Sequence, residues 1–249
     1  MLFFGIPLKS KKVSSNWPRV TELLNNTLRS IFNQTDPDFK VIIACHDVPD
    51  VIHADDPRLQ ILVVNFPPPL YRIDQFPDKY RKREVIAAQV RKEGGGYVMF
   101  VDADDLVSKR LVEYVHQDRS PFGYSIEEGW ELDYRRRRVR WAPAFHRLCG
   151  TCAIINWDVQ DLPEVPLDQQ SCRFREFVNN NHPTWASVSA AEGRPLEKLP
   201  FRGGMYVINN GENATAITND IGPRRRIVRC LTPSHRIDTK IADEFAIEF

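Results

Sequence analysis

Over the first hundred residues, short apolar runs alternate with stretches of helical periodicity. Met1 to Ile6 is apolar and is stopped by Pro7, the pattern of a buried strand. Asn16 and Pro18 mark a helix start, and Val20, Leu23, Leu24, Leu28 and Ile31 follow at helical spacing. Val41 to Ala44 and Leu59 to Val64 read as further strands, and Pro67, Pro68 and Pro69 open a loop. A basic, Ala-rich helix is expected from about Asp78 to Lys92, ended by Gly94 to Gly96. Tyr97 to Val101 is a fourth apolar strand, running into Asp102-Ala-Asp104-Asp105.

Strands that are apolar throughout, separated by helices, predict an α/β fold: a Rossmann-like, mostly parallel central sheet with helices on both faces. Ligands then bind beyond the carboxyl ends of the strands.

The second half is less regular. Ser108 starts a helix carrying Leu111, Val112 and Val115, and an arginine run leads to an apolar segment around Ile154. Helices are expected around Phe174 to Val178 and from Thr184 to Ala191, closed by Gly193, with a strand at Met205 to Ile208. No repeat is present. The expected organisation is one domain over 1–249, with a nucleotide-binding half (1–106) and an acceptor half (107–222) sharing one sheet. A C-terminal segment (223–249), basic and then acidic, follows.

Composition narrows the function classes. The 249 residues carry a net charge of +1, so no global field favours nucleic acid, and no reader motif is present. Five cysteines, including Cys149 and Cys152 as a CxxC, lack the partners of a zinc site or a disulfide framework. They read as reduced thiols in a cytoplasmic protein. The apolar N-terminal run is too short for a signal peptide, and no window has the length of a membrane span, which leaves peripheral membrane contact as the only membrane association expected.

The segment YVMFVDADD carries the most chemistry. Three carboxylates within four positions repel one another, and at the end of a buried strand they call for a cation. Mg²⁺ or Mn²⁺ held by one or two carboxylates plus phosphate oxygens fits. The bland alternative is an acidic loop, or Asp105 capping the next helix.

With FFGIP, TELLNNTLRSIFNQT, KVIIACHD and FVDADD in place, residues 1 to 215 resemble the GT-A glycosyltransferases, especially the inverting family 2 type, and more loosely its rhamnosyltransferases. The resemblance implies that Pro7, Leu8 and Lys9 contact a nucleotide and that His46 or Asp47 meets a uracil edge. It implies that Lys82 or Arg83 faces the nucleotide, that Asp102 touches the ribose or the ion's water shell, and that Asp104 ligates the metal, with Ala103 between them in the same turn. It offers His235 as a further metal ligand. UDP or a UDP-sugar is the implied ligand. The chain departs from the family where CHDVP replaces an aspartate pair and a Gly-Ser after the second strand.

Family 2 enzymes carry a Glu-Asp pair at the start of a helix that leads into a Leu-Pro strand, the Asp being the general base. Here HPTWASVSAAEG precedes KLPFRGGMYVINN, and Asn181 and His182 stand at those positions. His182 as base, Asp158 or Asp168 as base, and loss of turnover all remain open; His182 as a plain helix cap is the structural alternative.

Arg135 to Arg138 with Arg140, and Arg224 to Arg226 with Arg229, read either as solvated faces or as sites for an anionic acceptor. The Asn213-Ala-Thr pattern carries no weight in a cytosolic protein. The resulting expectation is metal-dependent sugar transfer to an unknown hydroxyl acceptor. A nucleotide-sugar-binding protein without turnover is the rival, and a phosphohydrolase ranks last, because its acidic motif belongs on the first strand.

Overall fold

The computed structural model describes residues 1–168, 170–213 and 231–248. The basic cluster Arg224 to Arg226 with Arg229 lies outside them, as does the whole start of the expected C-terminal segment from Pro223 to Cys230.

The N-terminal elements follow the apolar pattern closely. Strand β1 (Leu2–Pro7) is buried throughout, and helix α1 (Trp17–Phe32) starts where Asn16 accepts from the Arg19 backbone N–H at 3.1 Å. Strands β2 (Phe39–Cys45) and β3 (Leu59–Val63) follow, then helix α2 (Gln75–Lys92), which begins a turn earlier than expected. Three consecutive glycines, Gly94 to Gly96, all with positive φ, turn the chain into β4 (Gly96–Phe100).

The remaining strands are β5 (Leu106–Val107), β6 (Gly123–Ser125), β7 (Gly129–Asp133), β8 (Arg138–Ala142) and β9 (Ala153–Trp157), then β10 (Glu197–Lys198), β11 (Gly204–Ile208) and β12 (His235–Arg236). The later helices are α3 (Leu111–Asp118), α4 (Arg173–Val178), α5 (Trp185–Ala191) and α6 (Thr239–Glu244).

Seven strands form the central sheet, in the order β10-β6-β9-β4-β1-β2-β3. All of its pairings are parallel except the two made by β9, which runs against β4 and β6. The α/β reading with a mostly parallel sheet therefore holds. The β1-α1-β2 crossover steps one way along the sheet and β3-α2-β4 steps back. Right-handed crossovers in opposite directions place α1 and α2 on opposite faces. Gly5 lets α2 approach closely: a Cβ there would stand 2.9 Å from Ile86 Cγ2.

Both expected halves contribute to this sheet, since β6, β9 and β10 come from the second half. The single shared sheet does not account for everything. A second sheet, β12-β8-β7-β11-β5, holds its own small core of Leu106, Leu132, Val139, Met205, Val207, Ile241 and Phe245. Of its strands β11 was expected, at Met205 to Ile208, whereas β7, β8 and β12 are short and mix charged and aromatic residues, which hid them from a reading of apolar runs. The Asp102–Asp105 turn is the junction: β4 enters it from the central sheet and β5 leaves it into the second.

Candidate functional site

The carboxyl ends of β1 and β4 meet at one rim of the central sheet. Because β9 is reversed, its entrance lies at that same rim, and the Cys149–Cys152 loop abuts the Asp turn. Asp102 N donates to Thr151 Oγ1 at 3.0 Å. These segments, with α2 and the His182 turn, enclose a cavity of about 350 Å³.

Asp105 is the structural member of the acidic cluster. It is fully buried; Oδ2 accepts from Thr151 Oγ1 at 2.6 Å and from Cys149 Sγ at 2.8 Å, and Oδ1 accepts from the Val207 backbone N–H at 3.2 Å. It joins the turn to β11 and to the entrance of β9, and caps no helix. Burial, then Asp104 and Asp102, push its pKa well above the usual carboxylate range. Cys149 and Cys152 are buried free thiols, as expected, but Cys149 has a task as a donor to Asp105.

Asp102 and Asp104 line the cavity and differ in environment. Asp102 forms a close ion pair with Lys79. Burial opposes its ionisation, yet Lys79 and Arg83 outweigh that and hold it below the ordinary range. Asp104 Oδ2 accepts from Asn210 Nδ2 at 2.7 Å and Asn213 Nδ2 at 3.0 Å. Two neutral amides do not cancel a charge. Burial, then Asp102, push Asp104 up to about 6.

Of the residues singled out in the sequence, Pro7, Leu8, Lys9, Arg83, Asp102, Ala103, Asp104 and His182 line the cavity. Lys9 reaches Glu212 at 2.9 Å, and Arg83 lies buried among Phe100 and Trp185 with its Nε unpartnered. His182 lies beside Asp102; its Nδ1 stands 2.8 Å from the carbonyl oxygen of His146 and must donate to it. The lone pair is then on Nε2. Burial keeps the ring's pKa below its usual value, so it is neutral at pH 7.

Six expectations need correction. Lys82 does not face the cavity; its buried ammonium ties Leu8 O (2.7 Å) to Asp78 (2.6 Å). His46 packs behind it, 3.7 Å from Asp78 and bonded to Phe66 O. Asp47 is occupied by Lys11 N at 2.8 Å and Ser10 Oγ at 3.2 Å, fixing the loop after β1. Asp158 follows the end of β9, which pairs with the start of β4, so it lies at the opposite rim of the sheet. Asp168 pairs with Arg175 and does not line the cavity. His235 sits on the edge strand β12, edge-to-face on Trp130, away from the Asp turn.

Sequence reasoning missed Lys79, Gln75, Asn210, Glu212 and Asn213. Lys79 lies one turn from Arg83 on α2, a spacing the sequence did offer. Gln75, at the first turn of α2, lines the cavity with Nε2 buried and unpartnered. Asn213, read as an idle sequence pattern, is a buried partner of Asp104.

Among the described residues no group of three His, Cys, Asp or Glu side chains could hold a metal unaided. The donor set still fits a hard cation shared with a ligand. Asp104 keeps Oδ1 without a hydrogen bond, in a spot where burial already favours neutralisation. No helix among the described residues is long and apolar enough to cross a membrane.

No family model matches the chain, and no curated protein does. Solved structures do. One is TarS of S. aureus, 13% identical with a TM-score of 0.46; the alignment covers 84% of this chain, which spans 37% of the TarS chain. Another is described as a "putative nucleotide-diphospho-sugar transferase" from Desulfovibrio desulfuricans G20. It is 11% identical with a TM-score of 0.38, covering 90% of this chain and 89% of that one.

Proposed function

We propose that the chain binds a nucleotide-sugar, uridine-linked by the sequence resemblance, and transfers the sugar to a hydroxyl acceptor with inversion. One observation carries this reading: Asp104, a carboxylate pushed up to about 6, faces the same cavity as Lys79, Arg83 and His182. A diphosphate needs cationic partners, and Lys79 and Arg83 offer them. Gln75 offers its unpartnered N–H to a base carbonyl. Asp104, with Asp102 beside it, would hold Mn²⁺ or Mg²⁺, which would neutralise charge on the departing diphosphate.

The other carboxylates in the cavity are already engaged: Asp78 by Lys82, Asp102 by Lys79 and Glu212 by Lys9. His182 is therefore assigned as base. Its Nε2 takes the acceptor hydroxyl proton as that oxygen bonds to the anomeric carbon. The bond from this carbon to the diphosphate breaks, and its electron pair leaves with the diphosphate.

The engagement of every cavity carboxylate but Asp104 also favours a second reading, a nucleotide-sugar-binding protein without turnover. Calorimetry with UDP, with Mn²⁺ and with a chelator, tests the shared part; equal affinity in both conditions would overturn the metal-bridged site. Release of free sugar from UDP-sugars then separates transferase from binder.

A further inference from the structure

A second basic cavity, of about 330 Å³, opens on the β7–β8 hairpin. Arg135, Arg136, Arg138 and Arg140 line it together with Glu131 and Asp133. It shares no lining residue with the cavity of Asp104.

Strand alternation builds it. Val139 points into the smaller core, so Arg138 and Arg140, on either side of it, share the opposite face of β8. Register then sets Glu131 opposite Arg140 and Asp133 opposite Arg138. Two cancelling cross-strand ion pairs would be the ordinary result. The structure forms neither as a hydrogen-bonded pair. Arg138 bonds to Ser234, Nε to Oγ at 3.0 Å and a second N–H to the carbonyl. Asp133 accepts from the Arg136 backbone N–H at 3.1 Å and from Asn209 Nδ2 at 3.0 Å. Arg140 comes only within 4.0 Å of Glu131, and its Nε and one terminal nitrogen are shut from solvent without an acceptor.

Buried guanidinium N–H groups without acceptors are costly, and a ligand oxygen would remove that cost. Among the described residues, four arginines against two carboxylates leave two positive charges in excess. We propose that this cavity binds a phosphate group, either as free phosphate or as the phosphate of an ester, with Arg140 as its central donor. A phosphate dianion matches the excess charge, and its oxygens suit the guanidinium fork. The cavity is larger than a bare phosphate requires, which favours an ester with a small organic part. The site stands whether or not the other cavity transfers sugar.

The test is calorimetric titration of the intact chain at low ionic strength, where screening is weakest, with inorganic phosphate and with glycerol 3-phosphate. Saturable binding is expected, weakened about tenfold or more by Arg140→Gln. Tighter binding of glycerol 3-phosphate assigns an ester, and equal affinity assigns free phosphate. Arg135 is exposed, so Arg135→Gln keeps the test open if Arg140→Gln does not fold, and it should weaken binding several-fold. Absence of saturable binding of both probes, or equal affinity in the parent and a folded arginine variant, overturns the proposal.

Discussion

His182 donates through Nδ1 to the carbonyl oxygen of His146 at 2.8 Å, which fixes the tautomer and leaves Nε2 as the proton acceptor. Burial lowers the pKa of the ring below the usual 6.5, with the His146 bond and Asp102 opposing. A base must be neutral to act, so donor hydrolysis should be constant at neutral pH and fall only as pH drops below about 6.5. His182→Ala should cut the rate by on the order of 10²-fold with UDP affinity little changed. A variant as fast as the parent, with the same pH limb, would remove His182 from the reaction.

Asp104 makes the opposite contribution to stability. Its folded value of about 6 lies above the ordinary 3.8 of an aspartate, so the folded state binds more protons between those values. Stability from this group is fully present below about pH 4 and is lost as pH rises through 6. Asp104→Asn removes the charge and should raise stability at pH 7.5 by roughly 1–2 kcal/mol, after screening in the open cavity, with little change at pH 4. The same variant should lose the Mn²⁺ dependence of UDP binding. Urea melts at the two pH values, paired with calorimetry, check both halves; equal shifts at both pH values would contradict the assignment.

Two glycines separate binding from folding. A Cβ on Gly150 would stand 3.6 Å from Arg83, Asp102 and Lys79, an ordinary contact, but one that occupies the cavity. Gly150→Ala should keep stability within about 0.5 kcal/mol while weakening UDP binding. A Cβ on Gly129 would stand 2.3 Å from the Phe145 ring and 2.6 Å from Gly204 O. Gly129→Ala should cost about 1–3 kcal/mol. Thermal melts and titrations of both variants check this; a Gly150→Ala variant that binds UDP as tightly as the parent would place the binding site outside the cavity.

Gln75 should govern base preference. Gln75→Leu removes the unpartnered donor while keeping the side chain's bulk, and the preference of UDP over ADP should shrink about tenfold, equivalent to about 1.4 kcal/mol. Competition titrations measure it. An unchanged preference would move base recognition elsewhere.

The Asp turn was legible because a buried parallel strand is an unbroken apolar run, and β4 points along the chain at Asp102. The partition of labour within the turn was not. Asp105 differs from Asp104 only through Cys149, Thr151 and Val207, which lie far along the chain. Asn210 and Asn213 meet Asp104 across more than a hundred residues. His46 and Asp47 stood at a strand end, as a ligand site requires, but nearby polar groups claimed them first. Most of the second sheet escaped notice because strands such as β8, with Arg138 and Arg140 half-buried on one face, carry too few apolar residues to register.

The reversal of β9 makes the two ends of that strand unequal in what they tolerate. Residues spliced in after Trp157 would hang from the far rim, beside the exposed Asp158 and Arg194. Residues spliced between Cys149 and Cys152 would push directly against the Asp102–Thr151 bond and the Asp105 contacts. A peptide tag inserted near Asp158 should leave the cavity intact. The four residues from Cys149 to Cys152 instead form a part of fixed length, where even a one-residue insertion would pull the second sheet's junction out of line with the first.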